Sequence, residues 1–333
     1  MRRLTYVQER EIEMKNAMRC IGLVALTAGL AHAVPGNDDD CGLLIVDSSQ
    51  DRVVLLDSFD GSVLNANWID IAAAAAADNY TGSTTPIEAI VVGSEIWVSD
   101  QVADRIWRFD TTTQSYLGSI GADTGDLNNI RGMHKFGDTV YVSMGSDSDN
   151  FGRGIITIDA MSGAVTGQFN GREPTDTSYF DVNFYNGNLL VSNIDGGNDG
   201  LEIYSIDGSY LGNFVSSDGV TGIDFPQQIN RTEDGNLLVG GFSPDSGVYM
   251  YDMFGNDMGV VAGAGFGTRA GYELGNGEII WTNGSFIASD TRTILDDGSF
   301  RFITKVQGSF VPTPSSVALL GLGGLIAGRR RRA

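Results

Sequence analysis

One apolar strand recurs along this chain at nearly even spacing, and no other feature restricts the fold so strongly. Its copies are Leu43-Leu44-Ile45-Val46-Asp47, Ile96-Trp97-Val98-Ser99-Asp100, Val140-Tyr141-Val142-Ser143-Met144, Leu189-Leu190-Val191-Ser192-Asn193, Leu237-Leu238-Val239-Gly240-Gly241 and Ile279-Ile280-Trp281-Thr282-Asn283. Successive strand ends lie 53, 44, 49, 48 and 42 residues apart. Such a period holds four short strands, which is one blade of a radial β architecture. Most copies follow a turn, such as Phe136-Gly137-Asp138, Asn186-Gly187-Asn188 or Gly275-Asn276-Gly277, and in most a second alternating strand comes next, as in Leu201-Glu202-Ile203-Tyr204-Ser205-Ile206-Asp207. Turn chemistry between apolar runs predicts hairpins, and alternation of aromatic and β-branched residues predicts half-buried strands.

The expected fold is all-β, a six-bladed β-propeller spanning residues 43–310. The first unit lacks the strand that leads each of the others, while the chain end carries a spare one, Phe300-Arg301-Phe302-Ile303-Thr304-Lys305-Val306. Closing the ring with it removes the open edges that a linear array would expose. Ala72 to Ala77 reads as a helical turn or linker insert in the longest interval, and Ser285 to Asp296 gives no clear strands for the sixth unit. Residues 44–57 and 96–110 resemble NHL-type propeller repeats, in which an Asp ending one strand recurs with an Arg opening the next: here Asp47 with Arg52, and Asp100 with Arg105. The likeness covers two of the six units. Five residues apart across a hairpin, each carboxylate is expected to pair with its guanidinium or to cap loop amides.

Both chain ends read as addresses rather than as fold. Near the start, Met14 to Arg19 is a basic n-region, Ile21 to Leu30 an apolar h-region, and Ala31-His32-Ala33 a small-x-small cleavage site, so residues 1–33 are expected to be a signal peptide region and 34–42 an acidic lead-in. The last 23 residues run Val311-Pro312-Thr313-Pro314-Ser315-Ser316, then an apolar stretch from Val317 to Gly328, then Arg329, Arg330, Arg331 and Arg332. As a helix the apolar stretch reaches roughly 18 Å, short of the roughly 30 Å hydrocarbon core of a bilayer. Recognition and removal suit it better than permanent anchoring. The order of parts resembles the PEP-CTERM sorting signal of exosortase-processed proteins, with Thr313 in a place that is usually acidic. That resemblance implies an exosortase-type processing enzyme as partner, transient membrane contact through an apolar sorting helix at 311–333, and a destination at the cell surface or in the extracellular matrix.

Without the two ends, 12 Lys+Arg face 39 Asp+Glu, a net charge of −27. A body that acidic repels nucleic acid and anionic membranes. Cys41 alone remains after signal cleavage, so no internal disulfide can form. His134 is the one histidine of the body, lies in a strand-like segment and has no G-x-S-x-G elbow to serve, which makes it a structural residue. Acidic loops offer oxygen ligands of the kind Ca²⁺ accepts, and Asp195, Asn198 and Asp199 are the best grouped of them. No cofactor is required by any motif, and Ca²⁺ is the ion the donors would suit.

The expected function is a non-enzymatic binding or structural component of the cell exterior, with extracellular polysaccharide as a candidate partner. The alternative is a Ca²⁺-dependent hydrolase resembling the gluconolactonase kind of propeller. In that case Asp47, Asp100, Asn193 and Asn283 would be the residues to line a metal-holding channel.

Overall fold

The computed structural model describes residues 41–122, 124–169, 178–195, 199–217 and 222–307. Six four-stranded antiparallel sheets account for nearly all of the regular structure. Leu43–Val306 forms one compact unit, and Cys41, Gly42 and Gln307 are the ends of its first and last strands. The signal region, the lead-in up to Asp40 and the sorting tail lie outside the described residues.

Blade 1 is assembled from both ends of the chain. Its sheet runs in the order Phe300–Gln307, Cys41–Asp47, Arg52–Asp57, Val63–Asp70, so the last strand stands innermost beside the first. This is the closure expected from the orphan strand, and Phe300, Phe302 and Ile303 are buried there. The first strands of blades 2 to 6 are Pro86–Val92, Ile130–Phe136, Tyr179–Tyr185, Pro226–Arg231 and Ala270–Glu273. They lie side by side around the centre.

Burial follows position in the blade. The recurring strand found in the sequence is the second of each sheet, and Cys41–Asp47, for example, is buried along its whole length. Neighbouring blades cover both of its faces, which is why it reads as a continuous apolar run instead of an alternating one. Outer strands such as Val63–Asp70 and Tyr210–Ser216 begin by alternating between exposed and half-buried residues, because their far side meets water. Between blades the apolar faces interlock, as with Trp97 and Ile106 against Met133 and Val142, or Leu43 and Leu56 against Tyr272 and Ile280. The hairpin Asn186-Gly187 takes φ of +49° and +88°, the left-handed pair that a two-residue turn between twisted strands demands.

Two regions depart from the repeat. Residues Ile71–Ala77 form a helix capped by Asp70, whose carboxylate accepts from the Ala73 N–H at 2.8 Å, and Ile71, Ala74 and Ala75 bury its inner face. The sixth blade, unreadable over 285–296, has outer strands of only two and three residues, Ile287–Ala288 and Thr293–Leu295. Segments that short carry no periodicity to detect.

Candidate functional site

Hydrogen bonds fix which residues of the six inner strands share a layer. The N–H groups of Ser48, Gln101, Gly145, Ile194 and Phe242, one past the second strands, donate to the carbonyls of Ser299, Thr85, Asn129, Ser178 and Phe225. Two residues beyond each of those carbonyls stand Arg301, Ile87, Arg131, Phe180 and Gln227. In blade 6 the pairing of Ala270 with Thr282 places Arg269 at the same level. This level stands at the start of the inner strands, at one end of the central channel, and four of its side chains, Ile87, Arg131, Phe180 and Gln227, are buried. Ser99 and Ser143 hydroxyls donate to the carbonyls of Arg131 and Phe180 in the next blade, at 2.5 and 2.9 Å, and Thr282 does the same to Arg301. In blade 5 the place of the hydroxyl is taken by Gly240, where a Cβ would collide with the backbone of Arg269.

Three of the six residues at the channel mouth are therefore arginines in a chain of net charge −21. Salt bridges among the described residues engage Arg52, Arg105, Arg108, Arg153 and Arg292, and none involves Arg131, Arg269 or Arg301. Arg131 is buried and donates to the Tyr179 carbonyl and Ser178 Oγ, at 2.8 and 3.2 Å. Gly145 leaves room for its guanidinium, which a Cβ would strike. Arg301 donates to Ser48 Oγ at 2.8 Å. Among the described residues, Arg269 Nε and Nη1 are buried without an acceptor, and the neighbouring Gln227 also holds its Oε1 buried without a donor. Burial pulls both Arg131 and Arg269 down to about 10, so both remain cations at neutral pH.

Aromatic rings join these cations. Arg131 Cζ lies 4.7 Å from the centre of the Phe180 ring and Arg269 Cζ 5.4 Å from that of Phe242. Between them Phe180, Phe225 and Phe242 stand at centroid separations of 6.1 and 5.6 Å, with Phe302 5.8 Å from Phe180. The mouth is an aromatic wall with guanidinium groups against its faces, a geometry that cation–π attraction favours. Three residues before Arg269, on the same loop, Phe266 stacks on Trp281 at 5.1 Å and helps to line a cleft of about 360 Å³. Its polar edge is Asp290, which accepts from the Trp281 indole at 3.2 Å. The short outer strands of blade 6 leave this cleft uncovered.

One residue deeper, the inner strands are polar in a different way. Glu88 accepts from the Met133 N–H at 2.5 Å, from Thr304 Oγ1 at 3.0 Å and from Gln228 Nε2 at 3.3 Å. Asp181 accepts from the N–H groups of Ile229 and Val182, both at 2.8 Å. Gln228 exchanges bonds with the backbone of Ile303, at 2.7 and 2.9 Å. These side chains cross the channel and tie blades 1, 2, 3, 4 and 5 to one another. Burial pushes the Glu88 carboxyl up to about 7, and burial plus the nearby Glu88 raises Asp181 well above the usual carboxylate range.

The residues singled out from sequence fall elsewhere. Asp47 does pair with Arg52, at 2.9 Å, and also caps Ser49 and Ser299 N–H groups. Asp100 does not pair with Arg105: it accepts from the N–H groups of Thr85 and Ala103 and from the Trp107 indole, and burial raises its pKa. Arg105 turns instead to Asp78, at 2.6 Å, which the helical insert delivers from outside the repeat. Asn193 and Asn283 likewise spend their Oδ1 atoms on loop amides, Ser178 and Asp195 for the first, Ser285 and Phe286 for the second. All four are loop caps on second strands, and the channel is lined by first strands, which corrects their expected place as channel ligands.

Asn198 lies outside the described residues. Of its companions, Asp195 donates its N–H to Asn193, and Asp199 is buried, accepts from the Phe225 N–H at 3.0 Å and is raised to about 6 by burial and by Asp224 beside it. Among the described residues no three His, Cys, Asp or Glu side chains are arranged to hold a metal. His134 lies on the first strand of blade 3, pushed down to about 4 by burial and by the charges of Arg231 and Lys135. Cys41 is buried. The residues of the cleavage site and of the sorting tail are outside the described range. The arginine layer escaped sequence reading because its six members differ in type. The available signal was register: with 12 cations in the whole body, three stand at the same level of their first strands.

Solved structures share this architecture. A chain of a nidogen/laminin complex superposes with a TM-score of 0.59 over 80% of this chain and 98% of that one, at 12% identity. A protein of unknown function from Bacteroides caccae gives 0.54 over 80% and 99%, at 12% identity. A streptogramin B lyase gives 0.51 over 84% and 85%, also at 12% identity. The fold is a six-bladed β-propeller. At such identity the likeness is one of fold alone. At the level of sequence, no protein-family profile matches the chain and no characterised protein does.

Proposed function

We propose that this chain is an exported binding propeller whose channel mouth holds a partner outside the cell. The observation that carries the reading is the mouth layer itself: arginines that have no carboxylate partner among the described residues, two of them set against phenylalanine faces, in a protein otherwise rich in acid. Buried cations without counter-charge cost stability, and such strain collects at sites that bind. No nucleophile with an adjacent base occupies the mouth layer. The carboxylates one level below are bonded to backbone N–H groups and serve the ring. A binding role also suits the nidogen/laminin complex among the neighbours in fold, and the signal peptide and PEP-CTERM-like tail would supply export and sorting.

The test is a ligand screen by calorimetry on the purified protein, repeated with Arg131→Gln/Arg269→Gln. Binding to the wild type that the double variant loses supports the reading. Calcium-dependent turnover of a lactone or ester, abolished by chelator, would replace it with the hydrolase. Intact mass of the protein from its native host decides the addresses: a chain starting near Val34 and ending near Pro314 supports processing, and retention of Arg329 to Arg332 sinks it.

A further inference from the structure

The order of blades divides the mouth into two arcs. Gln227, Arg269 and Arg301 follow one another on blades 5, 6 and 1, whereas Ile87 and Phe180 on blades 2 and 4 flank Arg131 on the other side. One arc is polar and cationic, and it holds the buried groups with unmet hydrogen bonds, Arg269 Nε and Nη1 and Gln227 Oε1. On the other side Arg131 stands between two apolar residues, Ile87 and Phe180, which cluster with Phe302 of blade 1 and with Phe225 of blade 5.

Each unmet group specifies something of the ligand. Arg269 offers donors and a full positive charge, which an oxyanion satisfies most strongly. Gln227 Oε1 is an acceptor, so the ligand must bring a donor to the same arc, and a bare sulfate has only acceptor oxygens to place there. The phenyl faces call for a ligand with C–H surface. A guanidinium is planar and matches the planar carboxylate. We infer that the mouth recognises a carboxylate carried on a hydroxylated frame with an apolar face, the chemistry of a uronic acid sugar. This rests on the proposed binding role of the mouth and names its ligand class. Arg269 meets the carboxylate, Gln227 accepts from a ring hydroxyl, and the half-buried Phe225 and exposed Phe242 pack on the C–H face.

Calorimetry with the full chain separates the elements of that chemistry. The probes are trigalacturonate, monomeric galacturonate, a neutral galactose trisaccharide, and inorganic sulfate. Trigalacturonate should bind, and Arg269→Gln should weaken it about tenfold or more, the usual loss for a hydrogen bond to a charged group. Gln227→Leu, which keeps the charge and removes the acceptor, should weaken it severalfold while leaving sulfate unaffected. Thermal melts showing both variants folded secure the comparison. Retained affinity for the monomer assigns a single-residue site, and loss of it assigns an oligomer spanning toward the cleft at Phe266 and Trp281; the inference stands in both cases. Equal binding of the neutral trisaccharide, or sulfate binding as tightly as the uronate, overturns the inference while leaving a mouth-dependent binding role intact. Binding that neither variant alters overturns both.

Discussion

Two adjacent layers of the same inner strands are built on opposite terms. At the mouth, among the described residues, Arg269 and Gln227 leave buried atoms without partners, and Arg131 has hydrogen bonds but no counter-ion. One residue deeper, every polar group whose bonds are described is occupied: Glu88 with three donors, Asp181 with two backbone N–H groups, Gln228 with both backbone groups of Ile303. A satisfied network specifies structure, and an unsatisfied one holds free energy that a ligand can release. Register alone separates the two. The lower layer therefore locks the ring and the upper layer is open for recognition.

The sharpest test of this division is Asp181→Ala. It leaves the N–H groups of Ile229 and Val182 buried without acceptors and opens space at the centre, which should cost about 2 to 4 kcal/mol by urea denaturation. Gly132 gives a second route to the same point, since a Cβ there would collide with the Asp181 carboxylate, so Gly132→Ala should destabilise similarly. Losses under 1 kcal/mol in both variants would mean that the lower layer is no lock.

Next in size is the pH dependence of the lock. Glu88 is raised to about 7 in the folded protein and returns to the ordinary carboxylate range on unfolding, so the folded state binds the proton more tightly. The stability gained by that proton is full below the unfolded pKa and is lost as pH rises through about 7. Unfolding free energy should fall by on the order of 2 kcal/mol between pH 5 and pH 8. Asp181, raised chiefly by its own burial, adds a slope of the same sign, so Glu88→Gln, which keeps the shape, should reduce the slope without abolishing it; a slope unchanged in the variant would assign it to other groups.

Legibility from sequence divides along the same line. The fold was readable because second strands are covered on both faces, and burial forces the apolar runs whose spacing counts blades. Closure followed from one strand too few at the start and one too many at the end. The Asp and Asn residues at strand ends were equally visible, but a recurrent carboxylate gives no hint whether it meets an arginine, a loop amide or an ion. For Asp100 the answer depended on Trp107 and on a helix that brings Asp78 to Arg105, both outside any repeat pattern. The mouth was illegible for a related reason: Ile87, Arg131, Phe180, Gln227, Arg269 and Arg301 share only a level, and bulges in the first strands of blades 2, 3, 4 and 5 blur their register in the sequence.

Reversed sign marks the third prediction. If the mouth is strained for binding, replacing Arg269 with Met gives up the guanidinium's place over the Phe242 ring but keeps an unbranched apolar side chain there, and removes a cation whose buried Nε and Nη1 have no acceptor among the described residues. Arg269→Met should raise stability by about 1 kcal/mol, while abolishing affinity for any anionic ligand. A loss of stability comparable to that of Asp181→Ala would erase the distinction between the layers.

The smallest effect is expected at His134, which tests whether position on an inner strand is enough to matter. It lies three residues along from Arg131 on the strand Ile130–Phe136, beyond both layers, and pairs with Tyr141 of the second strand. Held down to about 4, its imidazole is neutral at pH 7, so it adds no charge to the mouth and can give no proton there. His134→Gln should leave ligand affinity within about twofold of the wild type and change stability at pH 7.5 by less than about 1 kcal/mol. Its trace should appear only on acidification. A histidine depressed in the folded state stabilises above its unfolded pKa and loses that contribution as pH falls toward about 4, which opposes the gain from Glu88. Between pH 6.5 and 5 the variant should therefore gain stability more steeply than the wild type. A parallel pair of curves would show that His134 is solvated in the folded protein, and a drop in ligand affinity at pH 7.5 would extend the recognition surface below the arginine layer.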